Sequence, residues 1–412
     1  MSGEILFLAH RLPFPPDRGD KIRSHHILKG LARLAPVHVA TFADADSDWE
    51  HEGELAALAA SHCLVKRGKP LALAGVEALL RGEAVSLAAF SNAALSRYVD
   101  EVLKNRPISA IYVFSGQMGQ YVPESYSGRL VVDLVDVDSA KFEAYARTKA
   151  GPRAWIDARE ARLLRAEEER LASRAAVTLL VSDAEAELLR SRLSEPARAH
   201  VRALGNGIDT KYFNPAAILP LLVMKEEEVP HIVFTGQMDY APNVDAAMRV
   251  IRHILPELRR DWPKAQFHIV GRAPVRELLG YDGRDGVRVW GEVPDVRPFL
   301  SGADVAIAPL SIARGVQNKV LEAMAMACPV VLTPGAATGI DAQEGVHFLV
   351  EESDHGLAAR IKAVLADSMA AKGIGKAARE FVIEQRSWDA MLADLPAIMG
   401  MPDPTEARRD AA

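Results

Sequence analysis

The sequence predicts an α/β protein built from two doubly wound domains with parallel sheets. Three observations carry this. Short apolar runs of strand length alternate with segments of helical periodicity. The alternation breaks once, in a proline-rich connection, and then restarts. The chain is 412 residues long, too long for one ordinary core and suited to two domains of about 200 residues each.

The elements follow in order. Ile5–Ala9 is a continuous apolar run and reads as a buried first strand. Glu4 precedes it and the run is short, so it does not read as a leader peptide. Lys21–Leu34 places Ile22, Ile27, Leu28, Leu31 and Leu34 at roughly helical spacing. Val37–Phe42, Ile108–Phe114, Leu130–Asp136 and Val177–Ser182 are further strands, with helical segments between them. The stretch 205–230, GNGIDTKYFNPAAILPLLVMKEEEVP, with three prolines and an acidic run, marks the connection. Strands then recur at His231–Thr235, Gln266–Val270, Val287–Trp290, Val305–Ala308, Val330–Thr333 and His347–Val350. The expected division is an N-terminal domain over 1–210, a C-terminal domain over 211–390, and a helix end with a loose polar tail over 391–412. Such domains present loops at the carboxyl ends of their strands to ligands in a cleft. The candidates are the loops after Ala9, Thr235 and Pro309.

Composition narrows the function. Lysine plus arginine is 49 against 55 for aspartate plus glutamate, a net charge of −6, which argues against a nucleic-acid binder. The two cysteines, Cys63 and Cys328, stand far apart, which excludes a disulfide scaffold and a cysteine-rich zinc site and fits a reducing cytoplasm. The twelve histidines show no HExxH spacing, so no catalytic metal is expected. The apolar stretch Leu71–Leu80 is half the length of a spanning helix. With Lys66, Arg67 and Lys69 ahead of it, it reads either as a core helix or as an interfacial anchor with basic ends over an apolar face.

Several motifs stand in a telling order: PPDRGDKIR, DLVDVDS, GNGID with Phe213, FTGQMDYAPN, HIVGRAP, and DVAIAPLSIARGVQNKVLEAMAMACPVVLT over 304–333. Together they resemble the family 4 retaining glycosyltransferases, and most nearly the sugar transferases associated with exosortase and exopolysaccharide gene clusters. The resemblance covers about residues 4–390. It implies the GT-B fold, two Rossmann-like domains, with the acceptor bound by the N-terminal domain and a nucleotide-diphosphate sugar by the C-terminal one.

Glu322 is expected to open the helix that follows the Pro309 loop, and by this resemblance it holds the donor ribose, since a carboxylate accepts hydrogen bonds from two vicinal hydroxyls. Gly315 lets backbone approach the diphosphate, and Lys319 supplies charge to it. Gly236 and Gln237 form the first donor-domain loop, and Gly19 with Asp20 forms the N-terminal loop near the donor phosphates and the acceptor. Asp136 best matches the polar residue that points at the reacting sugar, with Asp138 next. Asp136 and Asp138 share a face if the strand continues, and they also form a D-x-D triplet, the metal-binding signature of the unrelated GT-A fold. A purely structural capping role for Asp138 or Ser139 is the third reading. Arg11, Arg18, Lys21 and Arg23 make the first loop locally basic, which suits a phosphate-bearing acceptor.

The chain departs from the family's pattern twice. Arg314 stands where many relatives carry a second glutamate, and the 236–243 loop lacks their Arg and Lys, with Pro242-Asn243 near the lysine position. Arg314 and Lys319 are expected to take over the phosphate contacts, arginine being suited to bidentate pairing. The function implied is transfer of a sugar, with retention, from a nucleotide-diphosphate sugar to a glycan or lipid-linked acceptor in exopolysaccharide or cell-surface glycan synthesis, with no cofactor, in the cytoplasm or peripherally on the inner membrane surface. Two alternatives stay open: a nucleotide-sugar epimerase of the same fold, and a non-catalytic nucleotide-sugar-binding subunit. A redox Rossmann enzyme is disfavoured, because no G-x-G-x-x-G follows the first strand.

Overall fold

The computed structural model describes residues 3–226, 229–311 and 315–402. Arg314 and the polar end of the expected tail lie outside them. The chain forms two compact units: one is built from the chain up to Asn206 together with the chain from Met391 onward, the other is Gly207–Ala390.

The first unit holds a seven-stranded sheet. Its strands are β1 Glu4–Ala9, β2 Val37–Ala43, β3 Ser61–Lys66, β4 Ile108–Phe114, β5 Arg129–Val135, β6 Val177–Leu180 and β7 Val201–Ala203. They lie in the order β3-β2-β1-β4-β5-β6-β7, every pairing parallel. The central strands are buried on both faces, which is why they read as unbroken apolar runs. One apolar cluster, with Leu6, Leu8, Ile111 and Val132, packs one face, and a second, with Ile5, Phe7, Tyr112 and Val131, packs the other.

The sequence reading omits β3 and β7. Both are edge strands. β3 is mostly half-buried and β7 is three residues long, so neither carries a strong apolar signature.

Helix Gly19–Leu34 buries Ile27, Leu28 and Leu31 as its periodicity predicts, but also Lys21 and Arg23. Met391–Pro402 returns to this unit, where Leu395, Ile398 and Met399 join the cluster around Phe7.

The second unit holds β8 His231–Thr235, β9 Gln266–Val270, β10 Val287–Gly291, β11 Val305–Ala308, β12 Val330–Leu332 and β13 Leu349–Val350. Their order is β10-β9-β8-β11-β12-β13, again parallel throughout. All six follow the runs read from sequence. At Gly207 an added Cβ would meet the Trp388 backbone at 2.6 Å, so the GNGI segment needs glycine where two strands of chain touch.

Both sheets reverse their winding beside the first strand, at β1/β4 and at β8/β11. The carboxyl ends at such a reversal splay two loops apart and leave a ligand crevice between them.

Candidate functional site

In the second unit the reversal places the loop after Thr235 beside the loop after Ala308. The first of these is held from β9: Gly236 N donates to Val270 O at 3.0 Å and Met238 N to Arg272 O at 2.8 Å. Two glycines let the loops touch. A Cβ on Gly271 would sit 1.6 Å from the Gly236 carbonyl oxygen. A Cβ on Gly236 would sit 2.9 Å from Asn243 Nδ2 and 3.0 Å from Lys319 Nζ. The Lys319 ammonium therefore lies directly over the bare Gly236 backbone.

Two groups fix that ammonium. It donates to Asn243 Oδ1 and stands 4.6 Å from the centre of the Phe234 ring, a cation–π arrangement. Asn243, itself buried, donates through Nδ2 to the Gln237 carbonyl at 2.8 Å. The Gln237 side chain receives Arg272 Nη2 at 2.9 Å. Asn243 and Arg272 are site residues that the sequence reading did not single out. Their signals were present: Asn243 occupies the loop position where a lysine was looked for, and Arg272 stands in the HIVGRAP motif.

Lys319 belongs to helix Asn318–Ala325, which buries Val320, Leu321, Ala323 and Met324 against the sheet. Glu322 was expected to open this helix. It lies in the second turn instead, three residues after Lys319 and so on the same face. Among the described residues its carboxylate has no hydrogen-bond or ion-pair partner. Burial pushes Glu322 up to about 7, with the nearby Lys319 charge opposing the rise. Burial lowers Lys319 to about 8, with Glu322 opposing the fall. The face thus presents one donor-rich cation, held by Asn243 and Phe234, and one acceptor-only carboxylate without a hydrogen-bond partner among the described residues. Gly315, with φ 66°, is open around its Cα. Of the expected donor-binding residues, Gly236 and Gln237 lie in the loop after β8, Lys319 and Glu322 on the 318–325 helix, and Arg314 lies outside the described residues.

In the first unit the corresponding loops follow β1 and β4. His10 stacks on Phe114 at 5.7 Å between ring centres, and its Nε2 lies 3.5 Å from Asp20. Asp20 also pairs with Arg11 and Arg18, and Asp44 receives Arg11, Arg18 and Arg67. Burial alone would raise the Asp20 carboxyl, but hydrogen bonds from His10 and Arg11 and the arginine charges hold it well below the usual carboxylate range. Gly19 and Asp20 start helix Gly19–Leu34, where nothing lies within 4 Å of a Gly19 Cβ.

The expected basic patch is corrected here. Lys21 is buried and bonded to Asp48 at 2.8 Å and to the Phe14 carbonyl. Arg23 is fully buried, clamps Asp133 at 2.9 and 3.1 Å, and donates to Leu204 O and Asn206 Oδ1. Tyr112 Oη donates to the same Asp133. These two cations are spent inside the fold, because a buried charge must be paired.

Asp136 and Asp138 do not share a strand face. β5 ends at Val135, whose φ of 69° turns the chain. Asp136 lies in the turn and Asp138 begins helix Asp138–Thr148. They meet nonetheless on one cation: Lys141 Nζ donates to Asp136 at 2.9 Å and to Asp138 at 3.1 Å. The capping of this helix comes from a neighbour. Glu168 accepts from Ser139 N at 2.9 Å and Ser139 Oγ at 2.5 Å, and burial lifts its carboxyl to about 7.

Comparisons with known proteins bear on the second unit and on the fold. Residues 229–367, about three quarters of the second unit, match the family model described as glycosyl transferases group 1. No curated protein matches the sequence. Among solved structures, sucrose-phosphate synthase from Thermosynechococcus elongatus superposes with a TM-score of 0.60 at 16% identity, covering 100% of both chains. HepE of Anabaena, solved with UDP-glucose, gives 0.61 at 16% identity over 97% of this chain and 99% of its own. WaaG, a glycosyltransferase involved in lipopolysaccharide biosynthesis, gives 0.59 at 18% identity over 96% and 100%. With the two parallel sheets, these likenesses establish the GT-B fold.

Proposed function

We propose that this chain is a glycosyltransferase that moves a sugar from a nucleotide-diphosphate sugar to a glycan or lipid-linked acceptor. It retains the anomeric configuration in the manner of family 4, and it serves exopolysaccharide or cell-surface glycan synthesis at the cytoplasmic face of the membrane. One observation carries the reading. At the β8/β11 reversal, inside the matched domain, Lys319 lies over Gly236 and shares a helix face with Glu322, whose carboxylate has no hydrogen-bond partner among the described residues. A nucleoside diphosphate supplies what that face lacks: ribose hydroxyls that donate to Glu322, and phosphate oxygens that accept from Lys319. The UDP-glucose bound by the Anabaena neighbour supports a nucleotide-sugar donor of this kind.

In this reading Gly236, Gln237, Gly315 and Lys319 receive the diphosphate, joined by Arg314. Negative charge on the departing diphosphate is stabilised by Lys319 and by free N–H groups in the first turn of the 318–325 helix. The Gly19–Asp20 loop and the Asp136/Asp138 turn stand on the acceptor side. Their carboxylates orient a hydroxyl or offset positive charge on the sugar, with Lys141 and Arg11 setting their positions.

The test is binding of UDP, GDP and TDP to the purified protein, with and without EDTA, followed by transfer assays with the sugar nucleotides of whichever base binds. A nucleotide at about 100 times its Kd should stabilise the protein by about 2.7 kcal/mol. Lys319→Ala should cut affinity about tenfold or more, the loss of one charge-assisted contact. Absence of binding by all three, or affinity unchanged in Lys319→Ala, overturns the reading. Conversion of the sugar nucleotide without any acceptor would favour the epimerase.

A further inference from the structure

Helix Leu71–Arg81 buries Ala74 and Ala78 against the first unit and exposes nearly everything else. Leu71 is 74% exposed, Leu73 50%, Val76 55%, Leu79 58% and Leu80 83%. At 3.6 residues per turn these five side chains sweep an arc of about 200° around the helix axis. The face that seats a helix against a core is narrower, about 100° and upward, and a coiled-coil seam is narrower still. A convex apolar ridge this broad is not covered by one flat protein surface, whereas the acyl region of a bilayer closes around it from both sides.

The surroundings carry the complementary chemistry. Arg159 donates to Ala78 O at 2.9 Å and Glu83 O at 3.0 Å, pinning helix Pro152–Arg174 to the end of the ridge. Trp155 and Ile156 stand one turn before Arg159, and both are exposed, 61% and 48%. Arg147, Lys149 and Arg153 lie on the exposed surface around the junction of helices Asp138–Thr148 and Pro152–Arg174. Lys149 Nζ stands 5.1 Å from the centre of the exposed Tyr145 ring and is paired with Asp157 at 2.7 Å, which leaves Arg147 and Arg153 as the main border cations. An apolar ridge with an aromatic and basic border matches an anionic lipid surface: hydrocarbon for the leucines, headgroup level for Trp and Tyr, phosphate for the cations. The basic ends read from sequence contribute less than expected, since Lys66, Arg67 and Lys69 pair with Asp46, Asp44 and Glu77. No helix among the described residues is long and apolar enough to span a bilayer, so the contact is lateral.

We propose that helix Leu71–Arg81 is a membrane-docking element that inserts its leucine ridge into an anionic bilayer surface, with Trp155 and the basic residues at its border. This deepens the membrane placement proposed above, and its test is independent of the transfer chemistry. The measurement is co-sedimentation of the intact protein with phosphatidylcholine vesicles, with and without about one third phosphatidylglycerol. The wild type should bind the anionic vesicles, and the doubly substituted Leu71→Glu/Leu80→Glu protein should bind about tenfold or more weakly. Both leucines are exposed, so its thermal unfolding and its nucleotide affinity should match the wild type. The pair Arg147→Glu/Arg153→Glu should weaken binding to anionic vesicles selectively. Equal sedimentation of the wild type and the leucine variant overturns the proposal. So does a concentration-dependent dimer, without vesicle binding, that the leucine variant breaks, because the ridge would then belong to a second copy. Failure of nucleotide binding alongside normal docking would count against the transferase reading and leave this one standing.

Discussion

Glu322 and Lys319 hold opposed charges on one helix turn, each pushed toward its neutral form by burial. Their sign on stability follows from linkage. Glu322 sits above its ordinary value of 4.5, so the folded state holds the extra proton and ligand-free stability falls as pH rises from about 4.5 to 7. Lys319 sits below its ordinary 10.5, so stability rises as pH climbs from about 8 to 10.5. Between 7 and 8 both charges are present and both cost stability. Glu322→Gln should therefore stabilise the ligand-free protein at pH 8, by about 1–3 kcal/mol after allowing for its attraction to Lys319. The same change should weaken nucleotide binding, because an amide accepts hydrogen bonds less strongly than a carboxylate. A bound diphosphate favours the ammonium and ribose hydroxyls favour the carboxylate. Binding should then take up protons near pH 8.5 and release them near pH 6.5, with affinity falling on either side. Calorimetry in buffers of different ionisation enthalpy reads this sign change directly. Lys319→Arg should erase the uptake limb, and a profile that stays flat in the wild type would show that the pair does not meet the ligand.

At the scale of elements, the loop proposed to receive the donor depends on the glycines that follow β8 and β9, whose backbones are in contact. Gly271→Ala places a Cβ at 1.6 Å from the Gly236 carbonyl, a backbone atom that moves only if the strands part. The expected cost is about 2–4 kcal/mol, seen as a lower unfolding transition of the second unit, with nucleotide binding lost as Gly236 shifts under Lys319. Gly315→Ala is the control: its Cβ meets nothing within 4 Å, so only the strain of φ 66° is paid, about 1 kcal/mol. Similar melting of the two variants would refute the contact argument. This pairing also marks what the sequence could yield. The central strands were legible because burial on both faces leaves continuous apolar runs such as Ile5–Ala9 and His231–Thr235. Edge strands β3 and β7 were not, since half of an edge strand's surroundings are solvent. Lys319 and Glu322 were reachable through motif and spacing. The link of Lys319 to Asn243 spans 76 positions, and that of Arg23 to Asp133 spans 110, distances over which periodicity is silent. Arg23 and Lys21 read as surface charge because nothing local announces a buried partner.

At the scale of the whole molecule, the chain leaves the first unit at Asn206 and returns to it at Met391. The returning segment holds in place the elements that carry the first unit's candidate residues. Leu395 fills the notch that Gly30 leaves in helix Gly19–Leu34, where an added Cβ would meet it at 2.7 Å, and Asp20 lies in the first turn of that helix. The Ile398 carbonyl accepts from Arg129 Nε at 2.7 Å, at the start of β5, the strand that leads to Asp136. Leu395, Ile398 and Met399 are 2%, 2% and 1% exposed, and burying three such side chains contributes about 5–8 kcal/mol. That is comparable to the net stability of an ordinary domain. Ending the chain at Ala390 should therefore unfold or severely weaken the first unit, while Gly207–Ala390 keeps its full set of strands and its nucleotide affinity. Scanning calorimetry should show one transition lost and one retained, with the retained transition still raised by the cognate nucleotide. Leu395→Ala in the full chain is the milder form and should lower the first unit by about 2–4 kcal/mol. Its consequence for catalysis separates the two units' roles: transfer should slow because the helix bearing Asp20 loosens, while the affinity for free nucleotide stays unchanged. A matching loss of nucleotide affinity would mean that the residues proposed to hold the donor in the second unit do not bind nucleotide on their own.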